Sequence, residues 1–127
     1  MKIVWTLFLL LLVPSVYAES LQCDRATVNI EYSNKSPLGW ELVTLRIVNG
    51  KEEITKKFEY IHFFITCLNN PAKKPYIIYQ AYCSGSGCKD FDNWGIIDPS
   101  LMKVLLEPSD NNHKKAERIF GGKLKPF

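Results

Sequence analysis

Two stretches of strict side-chain alternation commit the first half of this chain to sheet. From Thr27 to Tyr32, Val28, Ile30 and Tyr32 fall on one face and Thr27, Asn29 and Glu31 on the other, the period of a half-buried strand. Between Trp40 and Val48, Val43, Leu45 and Ile47 share a side, and the run ends at Asn49-Gly50, a dipeptide that accepts the positive backbone angles of a tight hairpin turn. The chain is therefore expected to double back there onto a partner strand.

That partner, residues 52–65, reads two ways. Ile54, Phe58, Ile61 and Ile65 fit helical spacing, whereas the aromatic and β-branched content from Phe58 to Thr66 fits extended structure. The preceding hairpin turn favours a strand. Asn69-Asn70-Pro71 through Pro75 is a turn by composition, and Tyr76 to Tyr82 is a further strand, with Ile77, Tyr79 and Ala81 facing opposite to Tyr76, Ile78 and Gln80. Trp94 to Ile97 and Leu101 to Leu106 are short apolar runs joined by Asp98-Pro99-Ser100, where proline sets one turn angle and aspartate bonds the backbone ahead of it. After Glu107-Pro108, Ser109 or Asp110 offers an N-cap for a helix that carries Ala116, Ile119 and Phe120 and stops at Gly121-Gly122. The fold class expected is α+β: an antiparallel β-sheet with a C-terminal helix packed on one face, held by two disulfides.

Lys2, the apolar run Ile3 to Val13 and the small-residue ending Val16-Tyr17-Ala18 have the form of a cleaved secretory leader over residues 1–18. This stretch of eleven residues, apolar but for Thr6, is about half of what a membrane-crossing helix needs, and no later run is longer. A single exported domain over residues 19–127 is expected, periplasmic or secreted and without a membrane span. Lys2 is the leader's one charged group, so the remaining 109 residues carry 15 basic and 13 acidic groups, a net of +2. That balance, with basic pairs scattered at Lys56-Lys57, Lys73-Lys74 and Lys114-Lys115, gives no stripe for nucleic acid.

Export sets the meaning of Cys23, Cys67, Cys83 and Cys88, since four thiols in an oxidising compartment are most simply two disulfides. The small residues Ser84, Gly85, Ser86 and Gly87 let Cys83 and Cys88 close on each other, which favours that local bridge and leaves Cys23 with Cys67. Three pairings remain formally open. Chain entropy assigns about 4 kcal/mol to the long bridge and about 2 to the short ring. The short ring is then better suited to rigidifying a protruding loop than to holding the fold. With Asp90, Phe91, Asp92 and Trp94 beside it, Ser84, Gly85, Ser86 and Gly87 form a candidate binding surface of mixed acidic and aromatic character.

The strand from Tyr76 to Tyr82, the Cys-x4-Cys segment and the two apolar runs after it resemble the hairpin of the Ivy-type periplasmic inhibitors of vertebrate lysozyme. The resemblance covers about thirty residues and implies a disulfide-bearing exported α+β protein with Cys83 and Cys88 at the base of a loop that enters an enzyme cleft. Where that family presents a histidine between the cysteines, this chain has only serine and glycine.

Other chemistries lack their residues. Asp90-Phe91-Asp92-Asn93-Trp94-Gly95 begins like a calcium loop, but Trp94 and Leu101 stand where the fifth and twelfth ligands belong. No metal and no cofactor are expected. Gly85-Ser86-Gly87 lacks the spacing of a nucleophile elbow or a phosphate loop. His62 lies among Ile61, Phe63 and Phe64, and His113 beside Lys114 and Lys115, which read as a core position and a solvated one. No catalytic residue is assigned. The function expected is a non-enzymatic binding protein, an inhibitor or immunity-type protector whose partner is a lysozyme or other peptidoglycan hydrolase. A structural envelope protein and a small secreted hydrolase using Asp90 or Asp92 are the alternatives.

Overall fold

A computed structural model describes residues 16–33, 41–60, 62–82 and 93–126. These form β1 (Val16–Cys23), β2 (Ala26–Ser33), β3 (Glu41–Asn49), β4 (Glu52–Tyr60), β5 (His62–Asn69), β6 (Pro75–Tyr82), β7 (Trp94–Asp98), β8 (Lys103–Leu106) and α1 (His113–Phe120). The strands make two antiparallel sheets, β1-β2-β3-β4 and β5-β6-β7-β8, each running in chain order.

The alternation read from the sequence is the cause of the first sheet. Val28 and Ile30 of β2 and Val43, Leu45 and Ile47 of β3 are buried, and the residues between them face outward or are only partly covered. The β3–β4 hairpin pairs Asn49 with Glu52, so Gly50 and Lys51 are its two turn residues. Gly50 alone has positive φ there, at 61°, the pattern of a type II′ turn with glycine first.

Residues 52–60 and 62–65 are extended, as the hairpin requires, but they belong to two strands in two sheets. The apolar positions change parity between them: Ile54 and Phe58 of β4 and Phe63, Ile65 and Cys67 of β5 all pack on the same core. A chain that leaves one sheet for the facing one reverses the side it presents, and the parity switch does this. The same slip makes Ile54, Phe58, Ile61 and Ile65 mimic helical spacing.

The expected single sheet with a helix on one face is corrected to three layers. Val28, Ile30, Val43, Leu45 and Ile47 of the first sheet pack against Phe63, Ile77, Tyr79, Ala81 and Ile97 of the second. On the second sheet's far side, Tyr76, Ile78, Trp94, Ile96 and Leu106 pack against Ala116 and Phe120 of α1 and Leu124 beyond it. Being covered on both faces, β7 is buried at all five positions, which is why Trp94 to Ile97 reads as a continuous apolar run.

Cross-links join the layers at their margins. Cys23 and Cys67 form a disulfide, with Cα atoms 5.3 Å apart, between β1 and β5. Lys56 of β4 ion-pairs with Glu107 after β8, and Asn49 Nδ2 donates to the Pro99 carbonyl at 3.2 Å. The expected Cys83–Cys88 bridge lies outside the described residues. At the other end of the chain, β1 begins at Val16, so a cut after Ala18 falls inside the strand and leaves Glu19–Cys23 paired with Ile30 to Ala26.

Candidate functional site

Of the expected binding surface, Ser84, Gly85, Ser86, Gly87, Asp90, Phe91 and Asp92 lie outside the described residues. The stem that carries them is described. β6 arrives at Tyr82 and β7 leaves from Trp94, with Gln80 opposite Trp94 and the Ala81 amide donating to the Asn93 carbonyl at 3.3 Å. Gln80 is fully buried and Asn93 is nearly so.

On its other side β7 has a short neighbour. Pairing with β8 stops at Ile96 and Leu106, two residues short of Trp94, where β7 begins. Asn112 continues the ladder with its side chain: the Trp94 amide donates to Asn112 Oδ1 and Asn112 Nδ2 donates to the Trp94 carbonyl, both at 2.8 Å. A carboxamide carries the same donor and acceptor as a peptide unit, so it replaces the missing strand residue. Asn112 Nδ2 also reaches the Glu107 carbonyl at 3.3 Å, which ties in the segment after β8.

Asn112 is at the same time the N-cap of α1, and it makes no side-chain capping bond to its own helix. The expected caps, Ser109 and Asp110, lie ahead of the helix start. Sequence reasoning missed Asn112 because its side chain serves a strand 18 residues away. Only the residue type, a good cap, was visible.

His113 and Trp94 sit differently from expectation. The Trp94 indole is fully buried and stacks on the His113 ring, with centroids 5.4 Å apart and planes 21° from parallel. It belongs to the packing between β7 and α1, and its ring offers no surface to a partner. His113 is about a third exposed and does not sit on a solvated face. Its Nε2 lies 2.7 Å from the Leu124 carbonyl, and the Leu124 amide donates to Glu117 Oε2 at 2.8 Å. One helix turn thereby folds the C-terminal tail back along α1 and seats Leu124 in the core. The side chain of His62 is outside the described residues.

The strand pair beneath the stem tolerates no looseness. Gly95 faces Tyr79 in register, and a Cβ built at Gly95 would lie 2.1 Å from Tyr79 Cζ. The tyrosine ring thus covers the glycine directly. At the far end of β7, Asp98 behaves as the sequence implied. Its Oδ1 accepts from the Ser100 amide and hydroxyl at 2.9 and 2.7 Å and from the Leu101 amide at 3.1 Å, and its Oδ2 meets Lys74 Nζ at 2.8 Å. Burial alone would raise its pKa. The Lys74 ammonium, the Ser100 hydroxyl and the two amides together outweigh it and bring the group from an ordinary 3.8 down to about 2.

Surface hollows lie on both outer layers of the described residues. One, about 490 Å3, lies on the outer face of the first sheet over Ala18, Ser20, Asn29, Thr44 and Arg46. Its guanidinium is already paired with Glu53, Nε to Oε1 at 2.6 Å. The other, about 630 Å3, lies between α1 and the tail, lined by Lys114, Glu117, Arg118, Gly122 and Lys123. Among the described residues no group of three or more His, Cys, Asp or Glu is placed to hold a metal ion, and no helix is long and apolar enough to cross a membrane. No protein-family model matches the chain, and no characterised protein and no solved structure does either.

Proposed function

We propose that this chain is an exported, non-enzymatic binding protein that presents residues 84–92 to a protein partner, acting as an inhibitor of, or protector against, a cell-wall-degrading enzyme. The observation that carries the reading is the stem. A buried asparagine, a stacked histidine and tryptophan and a folded-back tail all converge on the strand that leaves the loop. A loop mounted on fixed ends loses less conformational entropy when it docks. Asp90, Phe91 and Asp92 then offer acidic and aromatic groups suited to a basic cleft.

Capture from a panel of lysozymes, peptidoglycan amidases and envelope extract tests the reading. A partner should be retained by the wild-type chain and lost by a variant with Ser84, Ser86, Asp90, Phe91 and Asp92 replaced by alanine. Turnover of a peptidoglycan substrate by the chain alone would refute the non-enzymatic class, and retention of the partner by the variant would refute the loop.

A further inference from the structure

We propose that the helix layer is a docking surface for an anionic phospholipid bilayer, separate from the loop reading and not resting on it. The outer face of α1 carries Lys114, Lys115 and Arg118, all exposed, and the folded-back tail adds Lys123 and Lys125. Lys114, Arg118 and Lys123 share one open hollow of about 630 Å3. The acid among them, Glu117, is turned to the tail, where it accepts the Leu124 amide. Five cations against one acid in residues 113–126 exceed the +3 of the whole chain, so the charge is concentrated here. The sequence showed only a lysine pair and scattered neighbours. Return of the tail onto the helix is what gathers them.

Apolar groups stand on the edge strand of the second sheet, on the side that carries the helix. Phe64 and Leu68 of β5 have the opposite parity to the core residues Phe63, Ile65 and Cys67, so they face the helix side, and they are 43% and 37% exposed. The tail lies towards them: a Cβ at Gly122 would meet Pro71 of the β5–β6 turn at 2.8 Å, and Asn70 Nδ2 donates to the Phe120 carbonyl at 3.0 Å. Exposed Lys73 stands in that same turn. Long flexible cations around an open hollow, with exposed apolar side chains on the same side of the second sheet, fit a headgroup layer. Lysines reach phosphates at no fixed geometry, and aromatic and leucine side chains enter the interface.

Flotation of the full chain with phosphatidylcholine vesicles, with and without phosphatidylglycerol, tests this. Binding is expected only with the anionic lipid and should weaken with salt. Lys114→Gln, Arg118→Gln and Lys123→Gln together should weaken it about a hundredfold, from about fivefold per cation near a charged surface. The control Arg25→Gln, Lys51→Gln and Lys57→Gln removes equal charge from exposed positions of the first sheet and its turns, and should retain most binding. Melting curves of both variants confirm folding. Equal losses in the two variants, or equal binding to neutral vesicles, would overturn the proposal. Binding of soluble polyphosphate without vesicle binding would assign the patch to a free polyanion instead.

Discussion

Asp98 holds the β7–β8 turn and the β5–β6 turn at once, through Ser100, Leu101 and Lys74. Its folded pKa lies below the unfolded one, so it contributes stability above about pH 4 that is lost as pH falls toward 2. The contribution is about 2 kcal/mol, on the scale of 1.36 kcal/mol per pKa unit. Asp98→Asn should lose most of it at pH 7, and its stability should fall less steeply between pH 4 and 2 than that of the wild type, the difference being the Asp98 contribution. Chemical denaturation across that range checks both. At Asn112 the stake is a buried backbone amide and carbonyl rather than a charge. Asn112→Ala should cost about 3 kcal/mol and raise hydrogen exchange at Trp94 and Ala81 more than in the first sheet.

At the scale of elements, the alternating strands were legible because each lies in a sheet with one solvent face. β2 and β3 show this directly. What the sequence did not reveal were the places where an element answers to two neighbours. β4 ends at Tyr60 and β5 begins at His62 in another sheet, so the parity of the apolar positions slips and imitates a helix. Ser109 and Asp110 looked like caps by local chemistry, but helix start was decided by Asn112 bonding a distant strand. Trp94 opens β7 as its apolar run implies, but its place in the binding surface fails because nothing local announces the helix and tail that cover it. The Cys23–Cys67 bridge was read from cysteine arithmetic, and it closes a span of 44 residues. Replacing both by serine should cost about 4 kcal/mol and lower the melting temperature by roughly 15 °C, which differential scanning calorimetry measures.

On the scale of the whole molecule, the three layers divide the labour. The first sheet and its disulfide close the core, the second sheet is the buried middle, and α1 with its tail braces the stem of the 83–92 segment from outside. In the binding reading, the brace matters through affinity: loosening it leaves the loop residues present but costs more entropy on docking. Asn112→Ala should therefore weaken a captured partner even though Asn112 is buried beneath the surface. The direct test is a calorimetric titration of that partner with the wild-type chain and with the variant carrying alanine at Ser84, Ser86, Asp90, Phe91 and Asp92. Expected is a loss of at least a hundredfold in affinity with an unchanged melting temperature. Equal affinities for the two folded chains would contradict the loop as the binding surface.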